Sequence, residues 1–441
     1  MSYPARVALI AALGGFLFGF ETAVISGAEK TIQQLWKLSD FWQGFTVASS
    51  LIGTVIGSLI AGVPAAKYGR KKVLVAIAVM YLLSAIGCAA FSVWGLFVFF
   101  RFLGGLAVGA SSVVGPMYIS EISPAHLRGR LAGSFQLNIV SGIFIAYFTN
   151  FLFVGMGDDA WRWMLGVMVV PAILFLVLLR SIPESPRWLI LNNREAAALP
   201  VLQKLGGATT EQAVAEIRNS IASHKEKLFQ ARYAKPILYA VLLAVFNQLS
   251  GINAIIYYAP RIFEMAGFDK ADAYLQPVYI VGCNLLFTVL AMQLIDRFGR
   301  KTLLLIGSAG MIVFLALTAH ALNSVSGGGS YVLIYLIGFI AFFAFSQGAV
   351  IWVFIAEIFP NAVRSQGGSL GSFTHWIMAM AISWIFPSIA GITSDGVHTG
   401  VVYSFYFFAA MMLLHGVFVW RVLPETKGKT LEEIQKEMGI E

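Results

Sequence analysis

The sequence predicts an all-helical integral membrane protein with twelve transmembrane helices in two parallel six-helix repeats. Of its 441 residues, 58% are hydrophobic and 12% are charged, whereas an ordinary soluble domain has about 25% charged residues. The mean hydropathy is +0.79, and apolar runs of about 20 residues, each long enough to cross a bilayer, recur along the chain. This composition excludes a soluble enzyme, a disordered protein and a secreted disulfide scaffold.

Apolar runs bounded by charged residues predict the individual spans. The first half of the chain gives six, at 7–28, 44–66, 73–92, 95–119, 130–154 and 161–181. The second half gives six more, at 236–259, 275–295, 302–322, 331–356, 366–391 and 400–422. We expect the first run to be a retained span rather than a signal peptide, because no small-residue cleavage site follows it.

These spans predict the domain organisation. Residues 1–181 form an N-terminal six-helix bundle and residues 236–422 a C-terminal one. Residues 182–235 form a cytoplasmic helical linker, in which the polar stretch at 209–229 is expected to form amphipathic surface helices. Residues 423–441 form a cytoplasmic tail.

The distribution of positive charge predicts the orientation. With an inside N-terminus, 24 of the 30 Lys and Arg residues lie on the inside, five lie on the outside, and Arg101 lies within a span. The positive-inside rule therefore places both termini in the cytoplasm and accounts for the net charge of +8 without nucleic acid. Compact loops and the absence of an N-x-[ST] sequon favour a bacterial inner membrane.

Three motifs recur in the same order in both halves of the chain. KYGRK at 67–71 returns as RFGRK at 297–301, EISPAHLR at 121–128 as EIFPNAVR at 357–364, and PES at 183–185 as PET at 424–426. The motifs follow the second, fourth and sixth predicted span of each half, so the two six-helix units share one topology. Parallel repeats of this kind are typical of transporters that bind substrate between their halves near the bilayer midplane.

The repeated loop motifs predict ion pairs between neighbouring helix ends on the cytoplasmic side. Glu121 and Glu357 each end a span and are followed seven residues later by an arginine. Pairs of this kind form when the cytoplasmic face is closed, so they can favour one conformational state. Alternatively, these charges only set the topology. The candidate gating residues are Arg70, Glu121, Arg128, Arg187, Arg300, Glu357 and Arg364.

With these motifs in place, the chain resembles the sugar porter family of the major facilitator superfamily over essentially its full length, and in particular bacterial sugar–proton symporters of the xylose and glucose type. The resemblance is carried by KYGRK, RFGRK, the run from Arg101 into PMYISEISPAHLRGR, PESPRWL, QLSGINAIIYYAP, EIFPNAVR and PETKGKTLEEI. It implies the major facilitator fold, alternating access and a monosaccharide substrate, either a hexose or a pentose.

Amide side chains within the apolar runs are candidates for binding sugar hydroxyls, because each amide both donates and accepts hydrogen bonds without carrying a charge. They are Gln136, Asn138, Gln248, Asn253 and Asn284. Polar groups are expensive inside a bilayer and are usually functional there, although hydrogen bonds between helices are the alternative. Gln248 and Asn253 flank a Gly-containing stretch where the seventh span is expected to bend.

The resemblance assigns further residues to the site. It implies sugar contacts for Gln136, Gln248, Asn253, Asn284, Trp352 and Trp376, and places Phe18, Phe343, Tyr257 and Tyr258 along the cavity or its gates. The chain departs from the family at two positions of the pocket, besides Glu21, where Asp is usual. Asn247 precedes Gln248 where Gln is frequent, and His375 precedes Trp376 where Asn or Gln is usual, so both residues are expected to reshape the pocket.

Two charges lie within predicted spans, Glu21 in the first and Arg101 in the fourth. Either charge alone at the bilayer midplane costs about 2.5–3.5 kcal/mol, so we expect them to pair. The resemblance implies proton-coupled symport with Glu21 as the proton carrier, since facilitators have a neutral residue at this position. The alternative is a facilitative sugar uniporter in which the pair is only structural.

Other classes of function lack their sequence signals. There is no G-x-x-x-x-G-K-[ST] phosphate loop for an ATP-driven pump, and the six His residues are scattered. The GGLAVG stretch at 104–109 fits a dinucleotide fingerprint formally, but close helix packing explains it within a span. We therefore expect a transporter and not an enzyme, with no cofactor, metal or nucleic acid. The expected partners are the sugar, protons and the lipid bilayer, and the expected functional unit is the monomer.

Overall fold

The computed structural model describes residues 2–124, 127–205, 226–324, 329–360, 362–394, 396–429 and 431–440. In these residues twelve helices are long and apolar enough to cross a membrane. We number them spans 1 to 12, in the order Tyr3–Leu35, Asp40–Ile60, Arg70–Ala90, Trp94–Ile122, Gly129–Phe153, Ala160–Ser181, Ala231–Met265, Lys270–Ala291, Arg300–Leu322, Ser330–Ile355, Arg364–Ala390 and Thr399–Arg421. The twelve predicted spans are therefore confirmed, with several ends displaced.

Short helices connect or extend the spans. Gly62–Tyr68 follows span 2, Pro186–Leu191 and Glu195–Leu205 follow span 6, and Leu431–Met438 follows span 12. The helix of span 8 continues to Phe298. Most of the stretch at 209–229, predicted to be amphipathic, lies outside the described residues.

Span 7 bends where the sequence predicts it. Its helices Ala234–Leu249 and Ile252–Met265 are separated at Gly251, whose φ of +83° is a left-handed conformation that favours glycine. Span 10 is also interrupted, between Phe345 and Gln347, and Ser346 there has φ −108° and ψ −97°. The sequence does not predict this second break, because neither Gly nor Pro occupies the position.

The ends of the helices repeat between the two halves of the chain. Span 3 begins at Arg70 after Gly69 (φ +104°), and span 9 begins at Arg300 after Gly299 (φ +87°). The helix of span 4 ends at Ile122, and the second helix of span 10 ends at Ile358. Equivalent motif residues therefore occupy equivalent helix ends, as the repeated motifs predict.

The chain folds into two compact units. One comprises Met1–Thr22, Ile52–Ala146 and Arg162–Lys225, and the other comprises Ala23–Leu51, Tyr147–Trp161 and Glu226–Glu441. Span 1 therefore contributes to both units. The division of the chain at 181 and 236 stays a prediction from the sequence repeat.

Glycines in the GGLAVG stretch allow the backbones of the first unit to pack closely. A side chain at Gly109 would collide with the carbonyl of Thr54 in span 2, so only glycine lets spans 2 and 4 approach this far. Span 4 also packs along span 3. The helix-packing interpretation of this stretch is therefore confirmed.

Candidate functional site

Glu21 and Arg101 meet inside the first unit. Arg101 Nη1 donates to Glu21 Oε1 at 2.5 Å and to the backbone carbonyl of Glu21 at 3.3 Å. The Arg101 side chain is fully buried and that of Glu21 is 4% exposed. The pairing expected from the cost of a lone buried charge is present in the structure.

The surroundings of this pair leave the guanidinium sparsely bonded. Arg101 Nε and Nη2 are buried and have no hydrogen-bond partner among the described residues. A side chain at Gly104 would collide with the Ser84 hydroxyl and with the carboxylate of Glu21, so glycine keeps this space open. Arg101 therefore depends on Glu21 for its charge compensation, and a change in the charge of Glu21 acts directly on Arg101.

The amides predicted in span 7 form a connected cluster in the second unit. Asn253 Nδ2 donates to Gln248 Oε1 at 2.6 Å, and Gln248 Nε2 donates to Asn247 Oδ1 at 3.0 Å. Asn247 Nδ2 lies 3.5 Å from the carbonyl of Gln347, next to the break in span 10. The bend at Gly251 brings Gln248 and Asn253 together although they belong to different helices. We call Asn247, Gln248 and Asn253 the amide cluster.

An aromatic group lies against the amide cluster. The ring centroid of His375 is 4.9 Å from that of Trp352 and 5.0 Å from that of Trp376. Gln248 Nε2 lies 3.2 and 3.1 Å from the two ring nitrogens of His375. Because these distances are nearly equal, neither nitrogen makes a well-directed hydrogen bond with the amide. Trp352 is the most open of the three rings, with 37% of its surface exposed.

The other residues predicted to bind sugar differ in burial and in the unit to which they belong. In the second unit, Asn284, Phe343 and Tyr257 are buried, and the fully buried Tyr258 donates its hydroxyl to the carbonyl of Ser383 at 2.8 Å. In the first unit, Phe18 is buried and Gln136 is half-buried. Asn138 donates to the carbonyl of Ser134 in its own helix at 2.9 Å.

The three loop motifs of the first half meet at one end of the first unit. Arg70 Nε and Nη2 donate to the two carboxylate oxygens of Glu121 at 2.9 and 2.8 Å. Ser185 Oγ donates to Glu121 at 2.5 Å. Glu184 accepts hydrogen bonds from the backbone N–H groups of Arg70 and Lys71, at the start of span 3. One carboxylate thus pairs with the arginine, and the other caps the helix.

The same arrangement recurs in the second unit with the equivalent residues. Arg300 Nη2 donates to Glu357 Oε1 at 2.9 Å, and Thr426 Oγ1 donates to Glu357 Oε2 at 2.6 Å. Glu425 accepts from the backbone N–H groups of Arg300 and Lys301 at 2.9 and 3.0 Å. Each ion pair lies inside one compact unit.

The remaining candidate gating arginines are Arg364, Arg187 and Arg128. Arg364 Nε donates to the carbonyl of Phe359 at 3.3 Å, and its Nη2 is buried without a partner among the described residues. Arg187 is exposed at the start of the helix Pro186–Leu191. The side chain of Arg128 lies outside the described part of the chain.

Sequence reasoning missed two sets of residues. The capping carboxylates Glu184 and Glu425 belong to the repeated PES and PET motifs, so their recurrence was a usable signal. The buried pair of Glu29 and Arg261 was missed because the predicted spans end at 28 and 259. The structure extends these helices to Leu35 and Met265, and this extension places both charges inside the spans.

No group of three or more His, Cys, Asp or Glu residues in the described ranges is arranged to hold a metal ion. The arrangement of the site is instead suited to binding neutral polar molecules. Uncharged amides and aromatic rings lie together in the second unit, and the first unit contains the buried Glu21–Arg101 pair.

Comparison with known proteins gives extensive matches. The D-xylose-proton symporter of Escherichia coli (strain K12) is 35% identical over 471 residues, covering 98% of this chain and 95% of that protein. The arabinose-proton symporter of Bacillus subtilis (strain 168) is 35% identical over 447 residues, covering 99% and 95%. The structure of the E. coli xylose transporter XylE in a partially occluded inward open conformation gives a TM-score of 0.87 at 35% identity, covering 98% of this chain and 100% of that one.

The family resemblance predicted from the motifs is therefore confirmed, as is the major facilitator fold with twelve membrane-spanning helices. The protein is a membrane transporter and not an enzyme. A sequence model of the family described as "Sugar (and other) transporter" matches residues 7–438. Since this match spans nearly the whole chain, the protein belongs to the sugar transporter family.

Proposed function

We propose that this protein transports a monosaccharide, a hexose or a pentose, together with a proton by alternating access. The observation that carries the proposal is the buried pair of Glu21 and Arg101, at 2.5 Å. A transporter that only bound a neutral sugar would have no need of a titratable group in this position. The names of the symporters from E. coli and B. subtilis support the same coupling.

The amide cluster and the aromatic group suit the chemistry of a sugar. Each sugar hydroxyl that leaves water needs a replacement hydrogen bond, and failure to provide one costs about 1–3 kcal/mol. Gln248 and Asn253 offer neutral donors and acceptors, and the exposed ring of Trp352 offers an apolar surface to the C–H face of the sugar. We propose that these residues bind the sugar together with His375, Trp376 and Asn284. Gln136, Phe18, Phe343, Tyr257 and Tyr258 stay predictions from the family resemblance.

The proton acts through the charge of Glu21. When Glu21 is ionised, its carboxylate compensates Arg101 and holds spans 1 and 4 together. Protonation removes the negative charge and weakens this attraction, so the helices rearrange at a lower cost. One proton that crosses about 100 mV supplies about 2.3 kcal/mol, which is roughly a 50-fold accumulation of sugar.

The positive-inside rule supports an orientation with both termini in the cytoplasm. With this orientation, the two Arg–Glu networks of the loop motifs lie at the cytoplasmic ends of their spans, where they bias the conformational state. We place the protein in a bacterial inner membrane, because its compact loops favour one and the symporters reported above are bacterial. Each chain has its own amide cluster and its own Glu21–Arg101 pair, so we infer that the monomer transports.

Uptake of labelled sugars into proteoliposomes tests the proposal. The purified protein is supplied with a panel of hexoses and pentoses, with and without an imposed inward proton gradient. We expect at least one sugar to accumulate above its external concentration only when the gradient is present. Uptake that equilibrates and ignores the gradient would establish the facilitative uniporter instead. The absence of transport for every sugar would overturn the monosaccharide assignment.

A further inference from the structure

The second unit contains a buried ion pair with no role in the proposed proton or sugar sites. Arg261 Nε in span 7 donates to Glu29 Oε1 in span 1 at 3.0 Å, and the two side chains are 12% and 1% exposed. We call Glu29 and Arg261 the outer ion pair. A neighbouring pair of Lys30 and Glu264 joins the same two helices, but its side chains are 47% and 19% exposed.

Amide side chains complete the bonding of the outer ion pair. Gln43 Nε2 in span 2 donates to Glu29 Oε2 at 3.0 Å, so both oxygens of the carboxylate have partners. Arg261 Nη2 donates to Gln33 Oε1, and Gln33 Nε2 in turn donates to Asp40 at 2.8 Å. Separating a buried pair with this many partners leaves two charges without compensation unless water reaches them. The outer ion pair is therefore stable while its two residues stay together.

Two further hydrogen bonds hold the part of span 1 next to Glu29. Tyr274 in span 8 donates its hydroxyl to the carbonyl of Gly27 at 2.7 Å, and Asn150 in span 5 donates to the carbonyl of Val24 at 3.1 Å. Arg261 and Gln33 line an open cavity of about 390 Å³. The outer ion pair thus lies at the boundary between this cavity and the tightly packed interior of the second unit.

The position of the outer ion pair along its helices gives it a place in transport. Arg261 lies eight residues beyond Asn253 of the amide cluster, and Glu29 lies eight residues beyond Glu21. Eight residues of helix correspond to a rise of about 12 Å. In the proposed orientation both displacements point toward the outside, so the outer ion pair lies between the external solution and the amide cluster.

We infer that Glu29 and Arg261 form the outer gate of the sugar path, an inference that rests on the proposed transport function. The pair holds spans 1 and 7 together when the path is closed to the outside. Sugar enters from outside only after the pair separates and both charges become hydrated. Span 1 then carries two carboxylates with different tasks: Glu21 takes up the transported proton, and Glu29 holds the gate.

A cysteine placed behind the gate tests this inference without any sugar. Ser26 is 2% exposed and lies one helical turn inward from Glu29, so Ser26→Cys gives a reporter of nearly unchanged size. The background carries Cys88→Ala and Cys283→Ser, which removes both native thiols. The measurement is the rate at which an impermeant maleimide labels the reporter from the outside of intact cells.

Removal of both charges avoids leaving either one unpaired. In the double variant Glu29→Gln with Arg261→Gln, we expect the cysteine at position 26 to be labelled about tenfold faster than in the protein with the intact ion pair. A tenfold change corresponds to a shift of ~1.4 kcal/mol in the opening equilibrium. The reversed pair, Glu29→Arg with Arg261→Glu, should return the rate toward that of the unmodified gate, because the amide of Gln43 can turn its oxygen toward a guanidinium. Glu264→Gln is the matched control. It breaks the exposed Lys30 pair between the same helices and should leave labelling unchanged.

Two results would overturn the inference. One is an unchanged labelling rate in the neutral pair when that variant elutes and unfolds thermally like the parent protein. The other is an equal acceleration in Glu264→Gln, which would show that any contact between spans 1 and 7 has the same effect. Sugar uptake by the parent protein is measured separately. If the labelling rates are as expected but the parent protein takes up no sugar, the result would count against the transport proposal and not against the inference about the outer ion pair.

Discussion

Arg70 and Glu121 form a two-point ion pair in which Nε and Nη2 of one guanidinium reach both oxygens of one carboxylate, at 2.9 and 2.8 Å. The equivalent residues Arg300 and Glu357 meet at 2.9 Å in the second unit. In each half a hydroxyl from the third motif, Ser185 or Thr426, donates to the same carboxylate. The two halves therefore share the contacts between their three motifs as well as the motif sequences.

The first prediction concerns the capping carboxylates. Glu184→Ala removes the acceptor for two backbone N–H groups at the start of span 3, and loss of a helix cap typically costs about 0.5–2 kcal/mol. We expect a lower midpoint in thermal unfolding of the purified protein, and a similar decrease for Glu425→Ala. Asp158→Ala, at an exposed carboxylate before span 6, is the control and should unfold like the parent. Equal midpoints for all three variants would contradict the capping role.

The second prediction concerns the Arg70–Glu121 pair as a gating element. Glu121→Gln keeps the size of the side chain but removes the charge that Arg70 faces. We expect slower sugar uptake with an unchanged affinity for sugar, because Glu121 belongs to the first unit and the amide cluster to the second. Uptake into proteoliposomes measures the rate, and calorimetry measures the affinity for sugar. An unchanged uptake rate would favour the alternative that the loop charges only set the topology.

The third prediction concerns sugar recognition. Gln248→Ala and Trp352→Ala each remove a group that we assign to the sugar. Loss of the Gln248 amide leaves a sugar hydroxyl unpaired, which costs about 1–3 kcal/mol, or about 5- to 150-fold in affinity, and loss of Trp352 removes the apolar contact with the sugar ring. We expect calorimetry on folded protein to show a loss in this range for Gln248→Ala and a weakened affinity for Trp352→Ala. Asn138→Ala is the control, because that amide donates to a carbonyl of its own helix. Parent-like affinity in both Gln248→Ala and Trp352→Ala would place the sugar site elsewhere.

The sequence predicts those features that depend on local pattern or on the membrane. The spans follow from the apolar runs that a bilayer requires, and the bend of span 7 follows from Gly251. The pairing of Glu21 with Arg101 was predictable because each charge is too costly alone inside a bilayer. All of these inferences use a single stretch of sequence or a constraint that applies to every membrane protein.

Other features require a tertiary arrangement that the sequence does not display. The break in span 10 at Ser346 is not predicted, because that position carries neither Gly nor Pro. Glu29 and Arg261 lie 232 positions apart, so only the folded chain reveals that they pair. Glu184 appears in the sequence as a loop carboxylate. It can cap span 3 only because the end of span 6 places it beside the first residues of that helix.

The fourth prediction concerns topology and follows from the 24-to-five division of positive charges. Cysteines introduced at Lys37 and Asp158 should react from outside with an impermeant thiol reagent in intact cells. A cysteine at Gln203, exposed in the helix Glu195–Leu205, should react only after the cells are opened. Labelling of position 203 in intact cells would reverse the assigned orientation, and with it the outer location of the Glu29–Arg261 pair.

The last prediction concerns coupling at Glu21. Glu21→Gln keeps the size and most of the hydrogen bonding but removes the charge that compensates Arg101, so the variant permanently resembles the protonated state. Symport requires the empty carrier to release its proton before it resets. The variant should therefore lose concentrative uptake driven by a proton gradient. It should still bind sugar and exchange internal for external sugar, because exchange does not require the empty carrier to reset.

Arg101→Ala distinguishes the two partners of the pair. Without the guanidinium, the carboxylate of Glu21 is left buried without charge compensation. We expect weakened accumulation here as well, whereas Lys30→Gln, at an exposed charge on the same span, should accumulate sugar like the parent. The measurements are gradient-driven uptake and counterflow in proteoliposomes. Parent-like accumulation by Glu21→Gln would place the proton site at another residue, since a glutamine in this position has no proton to release.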